Sequence, residues 1–267
     1  MRVSVTGAIA GLNHARIRGI TERMGESCLA EHLGRYVELS AREREALDGL
    51  TAGGKTYRRG TILRAEHGAN GDIFVVVSGW VYSFALLEDG RRQIVRLHFR
   101  GDLLGLDGLA FPESPDAIGA LTDAEVCLID RARLGALFAE HPRLGALLFA
   151  VQQVDRVNLT DRLVSLGRNS ARGRVAALLL QIANRMKFAN LPVADGFALP
   201  LTQEEIGDLT GLTAVHVNRT MRVLSEQGFI TRTGNVLKIL HPDRLARVAN
   251  YSSRTVAIDP GWLSAKG

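Results

Sequence analysis

Residues 199–230 read LPLTQEEIGDLTGLTAVHVNRTMRVLSEQGFI, and they carry the densest set of groups able to recognise another molecule. Thr202 followed by Glu205 has the spacing of a capping box, so a helix is predicted to start there. Ile206 and Leu209 supply its inner face. Gly211 stands where a tight turn needs a permissive backbone, and Thr213 can cap a second helix. Val217, Met221 and Leu224 recur at helical spacing and are expected to bury against the first helix. That leaves Ala214, Val215, His216, Asn218, Arg219 and Arg222 at outward or flanking positions. A helix start rich in hydrogen-bond donors is what the major groove of DNA accepts. The stretch reads as a helix-turn-helix. The same geometry also serves as plain protein packing, so a small helical subdomain that touches no nucleic acid is the alternative.

Charge favours the first reading. The chain has 267 residues and a formal net charge of +5. Residues 168–254 hold 12 Lys and Arg against 6 Asp and Glu, while the remainder is one charge negative. The excess thus sits where the helix-turn-helix is, and a basic domain gains from releasing the counterions of a polyanion.

Composition excludes several classes. With 46% hydrophobic and 23% charged residues the chain can build a core and is not disordered by composition. The two cysteines, Cys28 and Cys127, form neither a metal-like pair nor a disulfide framework, which fits a reducing, cytoplasmic setting. No apolar run reaches membrane length, and no signal peptide is apparent.

The elements that must position the motif follow from texture. Residues 1–28 lack a period and read as a flexible arm, and 29–50 look helical, with Ser40 and Glu43 forming a second capping-box pattern. From Lys55 to about Asp130, short apolar runs are cut by Gly, Asp and Asn. Asp89-Gly90 between two such runs predicts a hairpin, and the frequency of short strands predicts an antiparallel roll or barrel. After a short helix a long one is expected over about 142–166. One stripe (Leu144, Leu147, Val151, Val154) faces the chain's own roll. A second set, Leu148, Leu159, Leu163 and Leu166, approximates heptad spacing, interrupted by Gln152 and Arg156. A helix with two apolar stripes needs two partners, and a second subunit is the expected one, against a helix sandwiched within one monomer. Gly167–Ser170 reads as a hinge, Arg174–Lys187 as an amphipathic helix, and Phe229–Ile239 as a hairpin turning at Thr233-Gly234-Asn235.

The order roll, long helix, hinge, helix, helix-turn-helix, hairpin, with ITRTG after the second helix, resembles the CRP/FNR family of bacterial transcription regulators. The resemblance spans about residues 30–250. It is most specific at LTQEEIGDLTGLTAVHVNRTMRVLSEQGFI and good at GDIFVVVSGWVYSFALLEDGRRQIVRLHFRGDLLG. It implies an α+β chain: an N-terminal antiparallel β-roll (a cyclic-nucleotide-binding-like jelly roll), a long dimerisation helix and a C-terminal winged helix-turn-helix. The expected boundaries are 1–28 arm, 29–140 sensor roll, 141–169 dimerisation helix and hinge, 170–250 DNA-binding domain and 251–267 tail. It also implies that Arg219 reads a guanine, for which a bidentate guanidinium discriminates by about 1–3 kcal/mol. Thr202 and Thr213, with Gln203 beside them, match positions that touch phosphate. Two further base-reading positions of the cyclic-AMP receptor protein, an Arg and a Glu, are Ala214 and Val215 here, so the half-site is expected to differ. Val215 suits a thymine methyl, while His216, Asn218 and Arg222 add polar contacts.

The sensor half departs further. Gly101-Asp102 matches the start of the family's phosphate-binding cassette, but the Arg-Ser or Arg-Thr pair it needs aligns with Ser114-Pro115, and no Arg occurs between Gly101 and Arg131. A buried phosphate without a cation is costly, so cyclic-nucleotide binding is not expected. The oxygen-sensing branch holds an iron–sulfur cluster on several N-terminal cysteines, and this chain has only Cys28 there. A haem on His67 or His98 is left open, although a lone His near a strand is ordinarily a surface or core residue. The seven histidines are scattered with no His-x-His, and nucleophile-elbow, Walker and dinucleotide patterns are missing, which argues against a cupin-like enzyme and against metal. The sequence thus predicts a non-enzymatic, cytoplasmic, homodimeric regulator on a palindromic promoter site, contacting RNA polymerase if it activates. A regulatory protein using its roll to bind a partner, without DNA, is the second reading.

Overall fold

The computed structural model describes residues 27–51, 53–69, 72–254 and 259–263. The expected N-terminal arm lies outside the described residues except for its last two, and so does part of the C-terminal tail. Ser27 caps α1 (Cys28–Gly34). Ser40 caps α2 (Ala41–Leu50) with the expected reciprocal bonds: the Glu43 N–H donates to Ser40 Oγ at 3.3 Å, and the Ser40 N–H donates to Glu43 Oε2 at 2.7 Å. The helical stretch expected over 29–50 is therefore two helices. Arg35 ends the first and Ser40, in an extended conformation, starts the second.

The roll follows as β1 (Gly54–Tyr57), β2 (Ile62–Arg64), β3 (Ile73–Ser78), β4 (Val81–Leu86), β5 (Arg92–His98), β6 (Leu103–Leu104), β7 (Ala117–Ala120) and β8 (Ala124–Ile129). Two antiparallel sheets, ordered β1-β8-β3-β6 and β2-β7-β4-β5, face each other. Their shared interior is Phe74, Val76, Val81, Leu104, Ile118, Ala120 and Val126. Asp89-Gly90 makes the predicted hairpin, with Leu86 opposite Arg92 and Gly90 at φ +81°. Strand alternation explains the two-sided burial: β3 sends Phe74 and Val76 inward and Ile73 and Val75 toward the helices.

Helix α3 (Arg131–Glu140) is followed by the long α4 (Pro142–Arg168), which starts with Pro at its first position. Its 27 residues span about 40 Å. Leu144, Leu147 and Val151 of the first stripe bury against α1, α2 and β3, whereas Val154, its fourth residue, is half-buried. Arg143 on α4 holds the Glu43 carboxylate at 2.7 and 2.9 Å, pinning α2 to the long helix. Gly167 stays helical, and the chain turns only at Asn169 and Ser170, the N-cap of α5 (Ala171–Phe188).

The C-terminal part comprises α5, β9 (Phe197–Ala198), α6 (Gln203–Thr210), α7 (Ala214–Glu226), β10 (Ile230–Thr233), β11 (Val236–Ile239) and α8 (Pro242–Ala249). The hairpin β10–β11 is extended by β9 into a small antiparallel sheet. Val175, Leu179, Ile206, Val217, Leu224, Leu237 and Leu245 form its core. Each such buried side chain contributes about 1.5–3 kcal/mol relative to exposure. That core is continuous with Tyr82, Phe84 and Ile94 of the roll, so the two halves are packed together. No single helix among the described residues is long and apolar enough to cross a membrane.

Candidate nucleic-acid interface

The helix-turn-helix forms from the local signals named above. Thr202 Oγ1 accepts from the Glu205 N–H at 3.1 Å, and the Glu205 carboxylate accepts from the Thr202 N–H at 2.7 Å. Gly211 adopts φ +65°, the left-handed conformation that ends α6, and its N–H donates to the Gly207 carbonyl. Thr213 Oγ1 accepts from the His216 N–H at 3.3 Å and starts α7. A second glycine, Gly207, is required for steric reasons: a Cβ there would lie 2.4 Å from the Leu212 carbonyl oxygen, so the turn closes only over a hydrogen.

Helix α7 buries Val217, Met221 and Leu224. On the opposite side Val215 is 82% exposed, and Asn218, Arg219 and Arg222 are exposed. Arg219 has no hydrogen bond or ion pair among the described residues, so its whole donor fork is available. Arg222 is shared with Glu226 at 2.8 Å on the helix surface. Ala214 and His216 are half-buried at the flank. Thr202 and Thr213 are exposed, and each hydroxyl already caps its helix, so the two helix starts and their caps lie on the surface together. Gln203 is half-buried, and its Oε1 is enclosed without a donor. The hairpin exposes Thr231, Arg232 and Thr233 beside this face.

The first helix of the motif is docked on the roll. Arg59, beside the β1–β2 turn, donates to the Pro200 carbonyl at 3.2 Å and to both Glu205 oxygens at 2.9 and 3.1 Å. Arg92 on β5 holds Asp208 at 2.5 Å and stacks over the Tyr82 ring at 5.3 Å from its centre. Gln93 donates to the Asp208 carbonyl. Deeper in, Arg185 of α5 grips both oxygens of Asp102. Burial by itself would raise the Asp102 carboxyl, but the charge of Arg185, with His32 and Arg96 behind it, carries it well below the usual carboxylate range. His32 Nε2 lies 3.9 Å from Asp102. Burial drives this imidazole down to about 4, and Arg185, Arg35 and Arg96 push the same way against the upward pull of Asp102. The imidazole is thus neutral at pH 7, and the charge that pairs with Asp102 is that of Arg185.

The residues expected to form an effector site are not brought to shared partners. Gly101 adopts φ +85° at the end of the β5–β6 turn, and Asp102 faces α5. Ser114 is fully buried, with its Oγ donating to the Asp116 carbonyl at 2.5 Å and its N–H to the Gly68 carbonyl at 3.0 Å. Pro115 is exposed. A cation does stand in this region, supplied by β2: Arg64 reaches Asp107 and Asp116, each at 3.0 Å. It lies outside the Gly101–Arg131 stretch, 43 residues before Asp107 in the chain. A phosphate there would have to displace two carboxylates. His98 is buried, with Nε2 2.6 Å from Ser83 Oγ, whereas His67 is exposed.

On α4 the outer stripe is shifted. Leu148, expected on it, is only 4% exposed and packs in its own chain's core. Phe149, 64% exposed, takes its place, and Leu159 (39%) and Leu163 (70%) continue the line. Leu166 is half-buried, near the Gly211 turn. Phe149, Gln152, Arg156, Leu159, Leu163 and Leu166 keep alternating steps of three and four, a heptad seam. Arg59, Arg92, Arg162 and Arg185 were not legible as site residues, because each acts across 47 to 146 positions of sequence.

Residues 173–248 match the Crp-like helix-turn-helix domain, and residues 54–141 match the cyclic nucleotide-binding domain. The nitrogen fixation regulation protein FixK of Bradyrhizobium diazoefficiens is 32% identical over 222 residues, 82% of this chain and 84% of that protein. The transcriptional activator protein anr of Pseudomonas aeruginosa is 25% identical over 88% of this chain and 96% of its own. The solved structure of FixK2 from Bradyrhizobium japonicum superposes with a TM-score of 0.68 at 31% identity, covering 75% of this chain and 98% of that one.

Proposed function

This chain belongs to the CRP/FNR family of DNA-binding transcription regulators, and on that premise we propose that it reads a two-fold symmetric promoter site as a homodimer, without cyclic nucleotide. The observation that carries the reading is the free face of α7: Val215, Asn218 and Arg219 stand exposed, with no partner among the described residues holding the Arg219 guanidinium. Arg219 takes guanine N7 and O6, and Val215 contacts a thymine methyl. The starts of α6 and α7, with Thr202 and Thr213, take phosphates, and Arg232 on the wing adds one more. The heptad seam from Phe149 to Leu166 pairs with its copy and sets the spacing of the two α7 helices to one turn of DNA. An activator of this form contacts RNA polymerase in the cytoplasm.

The Arg64 guanidinium, already neutralised by Asp107 and Asp116, supports regulation by something other than a cyclic phosphate. Cys28 is the one cysteine near the N-terminus, where the oxygen-sensing branch carries several, which supports a reading without an iron–sulfur cluster.

The test is site selection from random DNA with the full-length protein, followed by fluorescence anisotropy on the selected site. Arg219→Ala is expected to lose about 1–3 kcal/mol at one base pair per half-site and to leave affinity for other sequences nearly unchanged. Full retention of base discrimination by this variant refutes the assignment.

A further inference from the structure

Two guanidinium groups line one cavity at the hinge, and among the described residues neither is paired with a carboxylate. Arg162, in the last turns of α4, is half-buried and gives three of its five N–H groups to main-chain carbonyls: Ile94 and Val95 of β5, and Leu209 at 2.7 Å. Burial alone pulls it down to about 10. Arg174, in the first turn of α5, donates through Nη1 to the Thr210 carbonyl at 2.9 Å and the Gly211 carbonyl at 3.4 Å. Its Nε is enclosed and has no acceptor among the described residues. Both side chains line one cavity of about 140 Å³, with Ser165, Asn169, Gln181 and Tyr251 in the same wall. A third guanidinium there, Arg254, is matched by Asp161 at 2.7 and 3.2 Å. The wall therefore carries two positive charges balanced only by carbonyl dipoles.

A half-buried charge without a counter-charge is costly, and the planar fork of a guanidinium matches the oxygens of a phosphate or carboxylate. A water occupies about 30 Å³ in the liquid, so the cavity admits several non-hydrogen atoms beyond one water. We propose that this cavity binds a small oxyanion, a phosphate or carboxylate group, between Arg162 and Arg174. The same two side chains hold the carbonyls of Leu209, Thr210 and Gly211, the turn between the two helices of the motif. Occupancy therefore fixes the setting of the motif on the end of the long helix. The binding stands by itself, whereas its effect on DNA rests on the reading of α7 given above.

The probes are inorganic phosphate and malonate, each titrated into the full-length protein against chloride at constant ionic strength. Calorimetry is expected to show one site per chain for at least one anion, with a saturable rise in Tm, and the two arms separate a tetrahedral from a planar group. Arg174→Met should weaken that Kd at least ten-fold, whereas Arg254→Met combined with Asp161→Asn, which removes a neutral pair, should leave it within two-fold. Should Arg174→Met fail to fold, Arg174→Lys, which keeps the charge but drops the fork, carries the same comparison. Absence of saturable binding of either anion overturns the site, as does equal binding in the Arg174 variant. DNA affinity read by anisotropy is expected to change about ten-fold on saturation in the wild type and not in the variant. Binding that leaves DNA affinity unmoved overturns the coupling and keeps the site.

Discussion

Replacing His32 by Gln should flatten the pH dependence of stability between pH 4 and 6.5. In the folded chain the imidazole sits between Tyr36 and Phe188, at ring-centre distances of 5.5 and 5.8 Å, and burial lowers it to about 4 from 6.5. The unfolded chain therefore binds a proton through this window while the folded chain does not. With more protons on the unfolded side, stability rises with pH, is fully present above about 6.5, and is lost as pH falls toward 4. At 1.36 kcal/mol for each pH unit that separates the two values, the whole interval is worth about 3 kcal/mol, of which ~2.5 kcal/mol is lost between pH 7.5 and 4.5. Asp102 adds its own slope only below about 4, because its folded value is depressed and its unfolded value is ordinary. His98 is also driven low by burial, but it is present in both proteins and cancels in the comparison. Urea unfolding followed by tryptophan fluorescence at half-unit pH steps measures the difference; Trp80, 4.6 Å from Phe99, reports on the roll. Parallel curves for wild type and His32→Gln over pH 4.5–7.5 would refute the assignment of a neutral, buried imidazole at this junction.

Asp102→Asn leaves the half-buried Arg185 guanidinium without its counter-charge, and a loss of about 3 kcal/mol is expected in the same unfolding assay at pH 7. Gly207→Val drives a Cβ into the Leu212 carbonyl, so the turn between α6 and α7 must open; unfolding should show about 1–3 kcal/mol of destabilisation, and sedimentation should show unchanged self-association. Leu163→Asp puts a charge in the middle of the exposed stripe of α4; sedimentation velocity at micromolar concentration is expected to show a dimer for the wild type and a monomer for the variant.

What the sequence determined by itself is local. The caps at Ser40, Thr202 and Thr213, the hairpin at Asp89-Gly90 and the left-handed turn at Gly211 each depend on residues within a few positions of one another, and all stand as read. Burial of Val217, Met221 and Leu224 follows from helical spacing, and so does the exposure of Val215 and Arg219. Periodicity also placed the long helix, but it left the outer stripe one residue out. Near the start of that helix Leu148 and Phe149 differ by about 100° of arc, and only packing against α1, α2 and β3 decides which of the two turns inward. The tertiary structure alone decided the long-range ion pairs. Arg64 becomes the cation beside Asp107 and Asp116 because β2 runs next to β7, not through any nearness in sequence. Asp102, which local pattern assigned to an effector cassette, is claimed by Arg185 some eighty residues later, because the helix that opens the DNA-binding domain lies across that corner of the roll. A charge declares its type in the sequence, but its partner is fixed by which surfaces the hydrophobic core brings together.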